Sequence, residues 1–212
     1  MHTTLFSQID HIIFAAPSLE MGNQMILDKL GVIPVPGGKH PGFGTHNSLL
    51  KIAPHTYLEV IAPDPEQSST DRPLWMGVNE VKQPGLIWWA AKTKAISNTV
   101  SNAREAGWDM GQVKAGSRIT GDGSMLNWQL TDPFRVQEGG ILPFLIDWGE
   151  GAHPTDTLVD PTCQLVDFQL LHPDPQRIAA YLTLIGLELP VGYSKDPTII
   201  AGLMTPTRIV YL

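Results

Sequence analysis

The residues best suited to chemistry lie early in the chain. The segment Gly37-Gly38-Lys39-His40-Pro41-Gly42-Phe43-Gly44-Thr45-His46-Asn47 combines four glycines with an imidazole at His40, a hydroxyl at Thr45, an amide at Asn47 and a second imidazole at His46. Glycine lets backbone approach a ligand closely, and these side chains with the exposed N–H groups are donors for a carbonyl, a carboxylate or another oxygen-rich ligand. The run Thr56-Tyr57-Leu58-Glu59-Val60-Ile61-Ala62 follows, apolar apart from Glu59. A carboxylate in an apolar strand is costly to bury without a proton, a cation or strong hydrogen bonds. His11 beside Asp10 in Ile9-Asp10-His11-Ile12-Ile13-Phe14-Ala15 is the third such group.

Each residue also has a plainer reading. The glycines can simply make turns, and His11 can be a core-edge histidine satisfied by Asp10. Glu59 and Tyr57 share a strand face that can point to the interior or to solvent, since Leu58 and Val60 supply an apolar opposite face. Asp147 at a strand end suits a cap or turn, and His153 before Pro154 suits a solvated loop. The glycine spacing matches neither a Walker loop nor a dinucleotide fingerprint, so no nucleotide cofactor is expected. No Gly-x-Ser-x-Gly elbow or cysteine–histidine nucleophile pattern is present. Cys163 is the single cysteine, set in an apolar strand-like run, which excludes an intramolecular disulfide and predicts an inert thiol.

Elements that could position these groups follow from hydrophobic period and breakers. Ile9–Ala15 reads as a strand, and Ser18 caps a helix running through Met21, Met25, Ile26 and Leu30 to Gly31. Val32–Val35 reads as a short strand before the glycine-rich loop, and Asn47–Ile52 and Tyr57–Ala62 as two more. Residues 63–84 have the composition of a linker crossing a surface, with Trp75 and Met76 to pin it. The pattern restarts with strand Gly85–Ala91, helix Ala95–Ala106, and strands Gln112–Ile119, Ser124–Leu130 (after the Gly121-Asp122-Gly123 turn) and Ile141–Trp148. The order β-α-β-β-β therefore occurs twice. Beyond the Asp160-Pro161 break, strand Leu165–Leu171, helix Asp174–Ile185 and strands Thr198–Leu203 and Arg208–Tyr211 make an abbreviated third copy. It is expected to be structural, covering a sheet or making a dimer contact.

The expected fold is α+β, with units at 1–62 and 85–154 and the third at 160–212, all in one compact body. At 212 residues and 42% hydrophobic content the chain can bury a sizeable core. A net charge of −7 without a basic stripe disfavours nucleic acid and anionic membrane as partners. The opening residues lack a signal-like pattern, and no apolar run approaches the ~20 residues of a membrane span. A cytoplasmic protein with a small-molecule ligand is the expectation.

Taken together, the Asp-His of the opening strand, the Gly-Gly-x-His-Pro-Gly-x-Gly-Thr-x-Asn loop, the Tyr-Leu-Glu strand and the closing Pro143-Phe144-Leu145-Ile146-Asp147-Trp148 resemble the glyoxalase-like domain family of the vicinal oxygen chelate superfamily. The resemblance covers the chain to about Pro154. It implies two units folded into a cupped, partly closed mixed sheet, with a divalent metal inside that chelates vicinal oxygens, and homodimerisation. It places His11 and Glu59 as metal ligands or catalytic groups, and Zn, Fe, Mn or Ni would suit them. The second unit departs from the pattern: aligned with the first, it has Leu86 at the His11 position and, within a residue or two, Leu145 at the Glu59 position. His40, His46, Asp147 or His153 would then have to complete a site. The resemblance implies a metal-dependent lyase or isomerase, with His40, Thr45, Asn47, Tyr57 and Trp88 contacting substrate. The alternative is a metal-free protein that binds or sequesters a small ligand in the same cup.

Overall fold

Seven consecutive buried residues form the first strand, β1 (Ile9–Ala15). A computed structural model describes residues 6–40, 43–67, 74–119, 125–160 and 162–212. The first five residues, Pro41, Gly42, residues 68–73 of the expected linker, residues 120–124 with the Gly121-Asp122-Gly123 turn, and Pro161 lie outside the described residues.

Helix α1 (Leu19–Leu30) starts where the Ser18 hydroxyl accepts the Met21 N–H and ends at Gly31, whose φ of 72° suits glycine. It buries Ile26 and Leu30. Strands β2 (Val35–His40), β3 (Thr45–Ala53) and β4 (Thr56–Pro63) complete the first unit. The second contains β5 (Gly85–Lys92), α2 (Ile96–Glu105), β6 (Lys114–Ile119), β7 (Met125–Leu130) and β8 (Phe144–Asp147).

These eight strands make one sheet in the order β2-β3-β4-β1-β5-β8-β7-β6. β1 and β5 run antiparallel at its centre, and each pairs in parallel with the last strand of its own unit, β4 or β8. The two halves are therefore related in connectivity, and the sheet curls until its edges meet. Arg118 on β6 donates from Nη1 to the Gly37 carbonyl on β2 at 2.6 Å.

The glycine-rich segment expected as a loop is largely strand. Val35–His40 pairs with β3 from Val35↔Leu49 to His40↔Thr45, while Val32–Val35 is not itself a strand. Glycines give no side-chain alternation, so the pattern that marks a strand is invisible there, and Pro36 is tolerated because β2 is an edge. Within residues 63–84, Trp75–Glu80 is a short 3₁₀ segment with Trp75 and Met76 buried.

The C-terminal elements β9 (Gln164–His172), α3 (Pro175–Leu184), β10 (Val191–Tyr193), β11 (Thr198–Met204) and β12 (Ile209–Tyr211) form a second sheet in the order β10-β9-β11-β12. β10 had no counterpart in the expected element order, being three residues with a central glycine. Trp88 and Trp89 point to opposite faces of β5, as strand geometry requires. Trp88 packs on Phe144, whereas Trp89 meets Phe168 of the second sheet edge-on at 5.3 Å. Both indole N–H groups are satisfied by consecutive carbonyls, Leu142 at 2.7 Å and Ile141 at 2.9 Å. Arg177 of α3 grips both oxygens of Glu138 at 2.7 and 2.9 Å, and His172 Nε2 lies 3.2 Å from the same carboxylate. Cys163 is fully buried, and burial pushes its thiol up from the ordinary value.

Replacing Trp89 by Phe leaves the Ile141 carbonyl without its donor and a gap against Phe168. Urea unfolding should show a loss of about 1–3 kcal/mol. A change near zero would mean that this contact does not hold the second sheet to the first.

Candidate functional site

A bulge in β1 starts the site. Ile9 pairs with Ala91 and His11 with Ala90, so Asp10 is an extra residue on its strand. A bulge re-aims neighbouring side chains, and here consecutive residues join one network. The His11 Nδ1–H group donates to Asp10 Oδ1 at 2.8 Å. The other oxygen, Oδ2, accepts the Trp148 indole N–H at 3.0 Å and His153 Nε2 at 3.3 Å. His153 Nδ1 is itself engaged by the Thr155 backbone N–H, which assigns the proton to Nε2. Burial alone would raise the Asp10 carboxyl, but hydrogen bonds and charge from His11 and His153 outweigh it and hold the group well below the usual carboxylate range.

Parallel pairing of β1 with β4 sets His11 beside Tyr57 and Ile13 beside Glu59. Tyr57 stacks on the His11 ring at 4.7 Å, and its hydroxyl is raised well above its ordinary pKa by burial and by the nearby Asp10 and Glu59. Glu59 is 3% exposed, and its Oε2 lies 3.6 Å from His11 Nε2.

Antiparallel pairing of β3 with β4 places Asn47 diagonally from Glu59, within side-chain reach. Asn47 Nδ2 donates to Glu59 Oε1 at 2.5 Å and lies 3.3 Å from His40 Nε2. That spends both amide hydrogens and assigns His40 the Nδ1–H tautomer, donating to Thr45 Oγ1 at 2.9 Å. Burial pushes His40 down to about 4 against the pull of Glu59, with Arg118 adding to the depression. Among the described residues Asn47 Oδ1 is buried without a hydrogen-bond partner. A β-carbon on Gly37 would collide with it, so that close approach requires glycine.

These groups line a cavity of about 30 Å³, room for one or two waters. Its facing wall is Trp128, Leu130, Phe144, Ile146 and Trp148, with Arg118 and Trp75 at its margins. His11, His40, Asn47, Tyr57 and Glu59 thus come together, and Thr45 braces His40. His46 lies on the opposite face of β3 from Thr45 and Asn47. Asp147 accepts the Gly149 N–H at 2.9 Å and is a turn residue. His153 acts through Asp10. Trp88 lines a separate crevice with Trp108 and Met110. The second-unit residues facing Glu59 are Phe144 and Ile146, not Leu145, because alternation along β8 turns Leu145 away; Leu86 is not in the wall either.

The donor set does not fit a resident divalent ion. His11 Nε2 and Glu59 supply two donors, His40 Nε2 is occupied by the Asn47 amide, and the opposite wall is apolar with a guanidinium at its margin. Among the described residues no three His, Cys, Asp or Glu side chains form a metal-holding group. Sequence reasoning missed Arg118 and Trp75. The lone basic residue in Gly116-Ser117-Arg118-Ile119 was the available signal for the first.

The His40 depression makes a pH prediction. The unfolded chain binds a proton near pH 6.5 that the folded chain refuses until about 4, so stability is full above 6.5 and falls as pH drops through that window. Denaturation across it should show a loss of up to ~3 kcal/mol that largely disappears in His40→Gln. Asp10 titrates below this window and does not obscure it.

The glyoxalase-like domain family matches residues 9–185. Among solved structures, a hypothetical protein from Staphylococcus aureus is 17% identical with a TM-score of 0.62, covering 96% of this chain and 83% of that one. The methylmalonyl-CoA epimerase of Mycobacterium tuberculosis is 20% identical with a TM-score of 0.43, covering 69% of this chain and 91% of that one. A variant of the Streptomyces coelicolor methylmalonyl-CoA epimerase in complex with 2-nitronate-propionyl-CoA is 18% identical with a TM-score of 0.43, covering 66% of this chain and 96% of that one. No match was found among curated proteins. With its family match spanning most of its length, the chain belongs to the glyoxalase-like domain family.

Proposed function

We propose that this glyoxalase-like domain is an enzyme that moves a proton on a small oxygenated molecule held in the cup, with Glu59 as the proton-accepting group. The observation that carries this reading is the buried array Asp10, His11 and Glu59. A carboxylate fixed at one oxygen by Asn47 faces, at 3.6 Å, an imidazole whose other nitrogen is locked on a buried carboxylate. Proton transfer needs a base held in place and a partner that adjusts to the change in charge. His11 supplies that adjustment, because its Nδ1–H is committed to Asp10 and only Nε2 remains to exchange with Glu59 or the substrate.

On this reading Arg118 and Trp75, which line the cavity, stabilise negative charge on a substrate oxygen, and the aromatic wall excludes water. Tyr57 keeps the His11 ring in its plane. Neutral His40 holds Asn47, and through it Glu59, in register. The expected lyase or isomerase chemistry is compatible with this arrangement, and no step needs to pass through a metal.

Two measurements test the reading. Small hydroxy- and keto-acids incubated with the protein in D₂O should include at least one that loses its α-proton signal by NMR. Glu59→Gln should slow that exchange by about 10²–10⁴-fold. Ligands that bind without any exchange would favour the sequestering protein instead. Separately, elemental mass spectrometry should find metal well below one per chain. Near-stoichiometric metal removed by both His11→Ala and Glu59→Gln would restore a metal-centred mechanism.

A further inference from the structure

Outside the cavity lies a groove of about 710 Å³ lined by Leu74, Met76, Val81, Ile87, Phe134 and Val136. Among the described residues Glu80 is the one charged residue in its wall. That volume is within the usual range for small-molecule sites, whereas the polar cavity alone lies far below it. The two are neighbours through one residue. Trp75 lines the cavity, while Leu74 and Met76 on either side of it line the groove.

We infer that cavity and groove are two halves of one ligand site parted by Trp75, and that the ligand is amphipathic: a head carrying both an acceptor and a donor, on an unbranched apolar tail. This rests on the cup being the functional site proposed above. The head follows from what the cavity leaves unpaired. Among the described residues Asn47 Oδ1 and Trp75 Nε1 are both buried without hydrogen-bond partners, one an acceptor and the other a donor. An unpaired buried polar group is costly, so a ligand that satisfies both gains from each. Arg118 is also buried, donates to the Gly37 carbonyl, and pairs with no carboxylate among the described residues. A hydroxy acid meets all three: its hydroxyl donates to Asn47, and its carboxylate accepts from the indole and the guanidinium.

The tail follows from a continuous row of rings. His40 meets Trp75 edge-on at 4.8 Å, Trp75 packs on Phe43 at 5.0 Å, and Phe43 stacks on Phe134 at 5.9 Å. The row begins in the cavity and ends in the groove. Phe134 and Val136 are 42% and 41% exposed, apolar surface that a tail would cover. The backbone beside Trp75 is unusual: Met76, a non-glycine residue, has φ 58° and Gly77 has φ 68°. Left-handed backbone at a bulky residue persists only where its surroundings impose it, and it fixes the turn that sets Trp75 between the two compartments.

The test is calorimetric titration with lactate, 2-hydroxybutanoate, 2-hydroxyhexanoate and 2-hydroxyoctanoate, and with octanoate as the partner lacking the hydroxyl. Affinity should climb about fourfold per added methylene, and octanoate should bind more weakly than 2-hydroxyoctanoate. Val136→Glu, at an exposed groove position away from the polar cavity, should flatten the chain-length dependence without moving lactate affinity, and Phe134→Ser should do the same. Affinity independent of chain length, a rise that survives both groove variants, or no binding by any member would overturn the inference. Following α-proton exchange of the same series in D₂O by NMR on the unsubstituted protein separates the two readings. If chain-length dependence stands and no compound exchanges its proton, the catalytic reading fails and the amphipathic site remains.

Discussion

A fully buried carboxylate at Asp10 is the constraint around which the cup is organised. Placing an isolated charge in a low-dielectric interior costs several kcal/mol, and one neighbour does not offset it. Here three N–H groups do so together, from His11 on the same strand, Trp148 just after β8 and His153 in the following turn. The last two belong to the second unit, so satisfying Asp10 draws the end of that unit onto the first strand. It also fixes the His11 ring, and through the ring the direction of everything that meets Glu59.

The two units share connectivity but not chemistry. The first supplies every imidazole and carboxylate of the cavity, and the second supplies rings and aliphatic side chains together with one guanidinium. Such division gives a site with one reactive wall and one drying wall. It also fits the second-unit residues that face Glu59, Phe144 and Ile146, neither of which can hold a cation. The positive charge within reach of the reactive wall comes from Arg118, which also joins the sheet's two edges.

Much of this was legible in the sequence because it depends on local signals. The strand–helix start, the Ser18 cap, the Gly31 stop and the two β-α-β-β-β units are written in period and punctuation, and His11, His40, Asn47 and Glu59 stood out as polar residues in apolar or glycine-rich surroundings. What was not legible depends on geometry that residue types do not encode. The Asp10 bulge breaks the strict alternation on which facing arguments rest, so two consecutive residues enter one network. Glycine erases the pattern that would have marked β2. Four tryptophans on second-unit strands gave no means of choosing among them. Trp128 and Trp148 line the cavity while Trp88 and Trp89 anchor the Ile141–Leu142 backbone, a distinction made only by long-range packing.

The nearly closed sheet leaves two strand edges, β2 and β6, and an unpaired edge is a template on which another chain can add a strand. The β2 edge is poorly suited to that exchange. Pro36 has no N–H to offer, the register shift between Pro36 and Gly38 breaks the regular ladder, and the Gly37 carbonyl is already taken by Arg118. The guanidinium that helps shape the cavity thus also works as a solubility device, guarding the seam of the cup against intermolecular strand addition and fibril-like growth.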